Sequence, residues 1–154
     1  MVFELPFIPF QSEIYSLLTK ADEMNFDVYD SAYPIEEIIE PLRNLDEIKF
    51  GVIADVSCTQ TSTKTDSVMW NVNVRIELFS TYNGRMRIAE MANTIGNVVT
   101  KYVSEFDANL SAKGYSVLKA EIGEATIGAT MFAYGLQWQN GYINLNYRLY
   151  QLNT

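Results

Sequence analysis

Two segments of the chain alternate between apolar and polar residues, and each alternation predicts a β-strand with one buried face. The clearest is VMWNVNVRIELF, residues 68–79, where large apolar side chains alternate with asparagine, arginine and glutamate. IKFGVIADVSC, residues 48–58, alternates in the same way except at Ile53. The polar, threonine-rich TQTSTKTDS joins them. The pattern therefore predicts a long β-hairpin whose tip, residues 59–67, projects beyond the body of the protein.

The hydrophobic period changes abruptly after the second strand, at Tyr82-Asn83-Gly84. Asn-Gly is a strong signal for a two-residue hairpin, so a third strand is one alternative. From Ile88 onward, however, apolar residues recur at helical spacing for about four turns, and strand alternation fails. The pattern therefore predicts a helix, with Thr81 or Asn83 as its N-cap.

The remaining segments predict a second helix and further strands. A helix is expected from Ser12, the predicted N-cap, and a short strand from NFDVY. YPIEEIIEPLRNLDE is predicted to be a loop with helical content, residues 115–128 a strand, MFAYGLQWQNG is ambiguous, and YINLNYRLYQL is the closing strand. This order predicts a single α+β domain over residues 1–154: an antiparallel β-sheet with a long β-hairpin, one face covered by two α-helices.

The first ten residues contain Pro6 and Pro9 among three phenylalanines. Closely spaced prolines disfavour a helix, so residues 1–10 are predicted to form an extended N-terminal arm. Such an arm either folds back on its own core or lies on a neighbouring subunit, which it would contact through Phe3 and Phe7.

Composition narrows the range of functions. A net charge of −8 and an isoelectric point near 4.5 argue against a nucleic-acid-binding surface spread over the fold. The chain has no histidine, so no histidine can act as a general base. Its one cysteine, Cys58, cannot form an internal disulfide. No phosphate-binding glycine motif, membrane-spanning run or secretory signal is recognisable. We expect a soluble protein without catalytic residues, cofactor or metal.

Polar rows on the strands are the candidate functional surface. If the strands share a sheet, one of its faces is covered by amide and charged groups, and it either faces solvent or packs on another subunit. The threonines of the predicted tip are either part of a loop or add to the sheet edge of a neighbour. The residues of the two rows and of the tip are Asn71, Asn73, Arg75, Asn144, Asn146, Arg148, Thr59, Thr61, Thr63 and Thr65.

These segments together resemble the tail-completion or tail-terminator proteins of tailed bacteriophages, which act at the head–tail junction. The resemblance lies in FDVYD, NVNVRIELFSTYNGRMRIAEMANTIGNVV and NYRLY, and in the order of elements. In that family a strand ends in a hydrophobic-plus-serine turn, here Leu78-Phe79-Ser80, and a glycine-arginine stretch, here Asn83-Gly84-Arg85, precedes a long helix. Two segments depart from the family pattern, the proline-bracketed residues 30–48 and the long stretch 127–140.

The resemblance implies a structural virion protein, not an enzyme, that forms a six- or twelve-fold ring joining portal-side to tail-side proteins. It would be assembled in the host cytoplasm and located at the head–tail junction, with no membrane and no cofactor. DNA would pass through without specific binding, because an acidic lumen repels phosphate. Arg85 and Arg87 join the candidate subunit contacts. The alternative is a non-catalytic α+β binding module of another assembly.

Overall fold

The computed structural model describes residues 4–31, 33–64 and 67–152. They form the elements α1 (Phe7–Lys20), β1 (Asp27–Asp30), α2 (Ile35–Ile39), a 3-10 helix (Glu40–Leu42), β2 (Lys49–Lys64), β3 (Ser67–Ser80), α3 (Met86–Lys101), α4 (Val103–Ser111), β4 (Tyr115–Ile127), β5 (Met131–Ala133) and β6 (Leu136–Gln151). The strands make a six-stranded sheet in the order β1-β2-β3-β6-β4, with β5 paired to β6, and four of the helices are α-helices. All strand pairs are antiparallel except β1 with β2. The α+β prediction is therefore confirmed.

The predicted β2–β3 hairpin is present, and the described residues of its predicted tip are paired within the ladder. The ladder continues to the pair Lys64–Ser67, so residues 59–64 belong to β2. On the other side of β3, β6 runs alongside as far as the pair Val68–Gln151. Within the described residues, β3 therefore continues one residue, Ser67, past its last pair with β6, and the β-branched threonines of β2 favour this continued pairing. Residues 65 and 66 lie outside the described part of the chain.

A β-bulge in β2 explains the exception in its alternation. The register between β2 and β3 skips Ala54, so the strand has one extra residue at that point. Before the bulge, Phe50 and Val52 lie in a small apolar cluster on one face of the sheet. Ile53 and Val56 instead pack with the main core on the other face. The extra residue thus reverses which positions point into the main core.

The main core lies between one face of the sheet and three helices, α1, α3 and α4, rather than the two helices predicted. Trp70 is 2% exposed in this core, which confirms its predicted inward orientation. The ring of Phe10 from α1 stands edge-on to those of Phe106 and Tyr147, with centroids 5.7 and 5.1 Å away. Apolar residues at helical spacing on α3 and at every second position of β3 and β6 supply most of the rest.

Residues 7–10 are helical, so the predicted extended arm is wrong over that range. Pro6 is the N-cap of α1, and the amide of Phe10 donates to the Pro6 carbonyl over 3.0 Å. Pro9 is tolerated because the first four helical N–H groups have no partner within the helix, so proline loses no bond there. Ser12 therefore lies inside the helix and is not its cap. Residues 1–3 lie outside the described part of the chain.

The predicted helix after the hairpin is present as α3, but neither Thr81 nor Asn83 caps it. The N-cap is Arg85, which makes no side-chain capping bond. Thr81 Oγ1 instead accepts the Ile48 amide over 2.8 Å and so fastens the start of β2 to the end of β3. Gly84 has φ of 124°, a left-handed conformation that suits glycine in the turn. The helix α4 was not predicted.

The second face of the sheet is covered at one end only. There α2, the following 3-10 helix and the hairpin of β5 with the start of β6 enclose the small apolar cluster around Phe50 and Trp138. This confirms the predicted helical content of residues 33–47 and resolves the ambiguous stretch as a hairpin. None of the helices in the described ranges is long and apolar enough to cross a membrane.

Candidate subunit interface

The polar rows predicted from the sequence do form one surface. The register of β3 and β6 sets Asn71 opposite Arg148, Asn73 opposite Asn146 and Arg75 opposite Asn144. All six point away from the main core, because the residues between them on both strands are buried in it. We call these six residues the polar face. Their exposure is intermediate or high.

The polar face consists of four asparagines and two arginines, so it carries a charge of +2 and has no acidic member. Arg148 Nε donates to Asn71 Oδ1 over 3.4 Å, and Arg75 Nε lies 3.7 Å from Glu77 Oε1. On the neighbouring β4, Lys119 Nζ lies 3.1 Å from Glu121 Oε2. The chain as a whole carries −8, so this face is less acidic than the average surface. Amide groups that can both donate and accept suit a contact with another polar backbone or amide surface.

A shallow hollow of about 490 Å³ lies across the polar face, between β2 and β4. Gly123 borders it at a bulge in β4, where the register with β6 shifts. A Cβ atom at Gly123 would lie 2.6 Å from the Asn146 amide nitrogen. Glycine therefore allows the Asn146 side chain to lie directly against β4. Asp55 and Ser57 of β2 form the opposite rim.

The threonine candidates lie along the edge of the sheet. β1 pairs with β2 only from Phe50 to Ile53, so beyond that residue β2 has a strand neighbour on one side only, within the described residues. Thr59 and Thr61 are exposed on this segment. The backbone of Thr63 in β2 pairs with that of Val68 in β3. Thr65 lies outside the described residues. We call residues 54–64 the open edge.

The two arginine candidates after the hairpin do not join the polar face. Arg87 donates from Nε to Glu47 Oε1 and from Nη1 to Glu90 Oε2, the latter over 3.0 Å, and lies over the Tyr82 ring. The bonds to Glu47 and Glu90 raise the pKa of the guanidinium above its already high value. Arg87 thus connects the start of α3 to the segment before β2. Arg85 is exposed at the N-cap of the same helix.

The phenylalanine candidates at the N-terminus have different outcomes. Phe7 is half-buried in the first turn of α1, so it belongs to the protein's own helical layer. Phe3 lies outside the described residues.

An aromatic pocket, which the sequence analysis did not predict, opens next to the polar face. It has a volume of about 640 Å³ and is bounded by α2, β3, β5 and β6. The Phe50 and Phe79 rings stack with centroids 5.2 Å apart, and Trp138 stands edge-on to Phe50 at 5.7 Å. Arg75 and Tyr142 form the boundary between this pocket and the polar face.

A signal for the pocket is present in the sequence. Phe79 continues the row of Asn71 to Glu77, and Trp138 continues the row of Arg148 to Tyr142, both by even spacing. Two aromatic residues at the same end of two polar rows indicate that this end of the face is covered. The cover itself, a five-residue helix between prolines, is too short to show a helical period.

Other potential chemistry in the described residues is sparse. No group of three or more histidine, cysteine, aspartate or glutamate side chains within the described ranges could hold a metal ion. Burial raises the pKa of the Cys58 thiol to about 11, so the thiol is protonated at neutral pH. No protein-family model matches the chain, and no curated protein matches it significantly in sequence.

Proposed function

We propose that the chain is a structural subunit that assembles with copies of itself into a ring at the head–tail junction of a tailed bacteriophage. In this proposal it is non-catalytic, needs no cofactor, and joins portal-side to tail-side proteins around the DNA channel. The observation that carries the self-assembly part is the open edge of β2, residues 54–64. An unpaired strand edge presents N–H and C=O groups that form a ladder with a strand of another chain.

The backbone groups that would form this ladder can be named. The Ile53 carbonyl accepts the amide of Ser31 over 3.2 Å, so it points away from β3. Backbone direction alternates along a strand, and the bulge at Ala54 shifts that alternation once. The backbone groups of Val56 and Gln60 then point to the open side, where a neighbouring strand would meet them.

Several further features support assembly into a closed ring. The strand β4 ends the sheet on the side opposite to β1 and the open edge of β2. A contact that joins two different edges is heterologous, and copies added by such a contact form a ring when the rotation closes. The net charge of −8 would keep the channel from binding the DNA that passes through it. The phage setting rests on the sequence resemblance.

The open edge can be tested with a matched pair of substitutions at Gln60. Gln60→Pro removes an N–H that points away from β3, and proline is tolerated on edge strands and at bulges. We expect a folded monomer by circular dichroism and light scattering. Gln60→Ala keeps the N–H and should assemble as the wild type does. Normal assembly of the proline variant would show that the edge does not carry the contact.

The phage setting requires a test in the virion. Deleting the gene for this chain from the phage that encodes it should leave heads and tails that do not join, as seen by electron microscopy. Supplying the chain in trans should restore joined particles. Intact, infectious particles without the chain would overturn the proposal.

The aromatic pocket favours one alternative, a non-catalytic binding module of another assembly. Pockets that bind small molecules have volumes of roughly 300–1,000 Å³ and mostly apolar walls with a few polar groups. The observed pocket fits this description. A protein that stays monomeric at every concentration and binds a small apolar ligand tightly would favour this alternative over the ring.

A further inference from the structure

We propose that Phe132 of one copy of this chain inserts into the aromatic pocket of the next copy, in a head-to-tail contact. This inference rests on the proposed self-assembly and names the residues that would carry it. It is independent of the open edge of β2, because the two features lie on different elements.

The Phe132 side chain is unusually exposed. It is 79% exposed, more than any other large hydrophobic residue that the structure describes. It lies on the short hairpin of β5 with the start of β6, which continues past the last β3 pair, Ser80–Gln139. Keeping a phenylalanine in water is unfavourable, because transferring its apolar surface out of water is a main source of binding and folding free energy. An exposed aromatic residue on a projecting hairpin is a suitable anchor for a partner.

The hairpin that carries Phe132 is held in place by its own contacts. Its turn residues, Tyr134 and Gly135, have φ of 55° and 74°, the left-handed values of a tight two-residue hairpin turn. Arg43 Nη1 donates to the Tyr134 carbonyl over 2.9 Å, and Trp138 Nε1 donates to the Ala133 carbonyl over 3.0 Å. These bonds fasten the turn to the segment after α2 and to the pocket wall. A preorganised anchor loses little entropy on binding.

Phe132 and the pocket lie on opposite faces of this hairpin. Met131 pairs with Trp138, and both line the pocket together with Ala133. Phe132 pairs with Gln137 instead, and side chains at successive strand positions point to opposite faces. Phe132 therefore points away from the pocket of its own chain and cannot fill it.

This arrangement favours a second copy as the occupant, in a heterologous contact. A two-fold contact joins the same patch on both subunits, whereas here the inserting residue and the receiving pocket face opposite ways. Each copy then offers an anchor to one neighbour and a pocket to another, and the series closes into a ring when the rotation allows. The ring of Phe132 would meet Phe79 and Tyr142, which line the pocket and are only half-buried, with the buried Phe50 and Trp138 behind them.

The test combines one variant without the anchor and one with a filled pocket. Phe132→Ala removes the anchor, and Gln137→Ala, its exposed pair on the same face, is the matched control. Thr126→Trp fills the pocket from its β4 wall, with Thr126→Ser as control. Thr126 is only half-buried, so we expect both Thr126 variants to fold. Circular dichroism verifies folding for all four.

We expect each of the two disabling variants alone to weaken self-association by about 30-fold or more, the effect of losing an interface hot spot. Mixed together, they should pair one to one through this contact, because Phe132 of the filled-pocket variant can still enter the open pocket of the other. Light scattering gives the stoichiometry. In the wild-type protein, Trp138 emission should change with concentration as the pocket fills, and Trp70, in the main core, contributes a constant background.

The outcomes separate this inference from the proposed function. Wild-type assembly by Phe132→Ala would overturn the Phe132 contact and leave the ring proposal standing. If self-association depends on Phe132 but the Phe132→Ala and Thr126→Trp variants do not pair when mixed, Phe132 binds somewhere other than the pocket, and the proposed contact is overturned. A wild-type chain that stays monomeric across the concentration range, with constant Trp138 emission, would count against both proposals.

Discussion

The guanidinium carbon of Arg75 lies 4.0 Å from the centroid of the Tyr142 ring. Arg75 is on β3 and Tyr142 on β6, two positions from the residue directly opposite. The pair stands where the polar face ends and the aromatic pocket begins. A cation over an aromatic face is attracted by the ring quadrupole, so this contact fixes the side chain that separates the two surfaces.

Breaking the Arg75–Tyr142 contact should destabilise the protein slightly. Tyr142→Leu removes the ring, and we expect the free energy of unfolding to fall by about 0.5–1 kcal/mol, the range for a partly exposed cation–π pair. Tyr142→Phe keeps the ring and should stay close to wild type. Urea unfolding of both variants, with and without Arg75→Gln, gives the coupling energy. A coupling of zero would contradict the assignment.

Replacing Trp70 should have a much larger effect, because its side chain is 2% exposed in the main core. Trp70→Ala should lower the free energy of unfolding by about 3–5 kcal/mol through lost burial and the cavity left behind. Trp70→Phe retains part of the volume and should cost less. Thermal unfolding close to wild type in the alanine variant would be incompatible with this packing.

The parts of the fold that the sequence predicted are those where one face of a long element is buried. Alternation across β3 and β6 predicted both the core around Trp70 and the polar face around Asn73 and Asn146, and the structure confirms this arrangement. The apolar residues of α3 likewise overrode the Asn83-Gly84 hairpin signal. In each case many residues repeat the same signal, so single exceptions do not matter.

The parts that were missed depend on one or two residues each. Pro9 disfavours a helix on sequence grounds, yet it lies in the first turn of α1, where a proline loses no hydrogen bond. Ile53 breaks the alternation of β2 because of a bulge at Ala54, and this bulge is visible only in the pairing with β3. The break between α3 and α4 lies at Tyr102, which has φ of −100°. No proline or glycine next to Tyr102 signals this break in the sequence.

Asp107 is a structural residue that the sequence did not reveal. Its Oδ1 atom accepts the Val117 amide over 2.7 Å and the hydroxyls of Ser111 and Ser116 over 3.3 Å. One carboxylate thus connects α4 to the first residues of β4. No periodic pattern signals such a contact, because the partners lie on different elements.

Removing the Asp107 carboxylate should destabilise the junction of α4 and β4. Asp107→Ala leaves the Val117 amide without this acceptor, and we expect a loss of about 1.5–3 kcal/mol, the range for a hydrogen bond to a charged group. Asp107→Asn retains an oxygen at the same distance and should lose less. Asn109→Ala, an exposed position on the same helix, is the control. Equal urea midpoints for the alanine variant and wild type would refute this role.

The Cys58 thiol should react slowly while the protein is folded. Burial raises its pKa from 9.0 to about 11, so at pH 8 its thiolate fraction is about 100-fold lower than that of a thiol with the reference value. Labelling with a thiol reagent should be slower by at least that factor than in urea, where the chain is unfolded. The folded-state rate should rise about tenfold per pH unit up to pH 11.

The same shift has a consequence for alkaline stability. Because the folded pKa is the higher one, the neutral thiol favours the folded state fully below pH 9, and that contribution is lost as the pH rises from 9 through 11. Tyr115 and Tyr147 have pKa values raised by burial and act in the same direction, so the comparison must be with Cys58→Ala. We expect the wild type to lose more stability than this variant between pH 8 and 11. Parallel pH profiles, or rapid labelling of the folded wild type at pH 8, would show that Cys58 is not shielded as the structure has it.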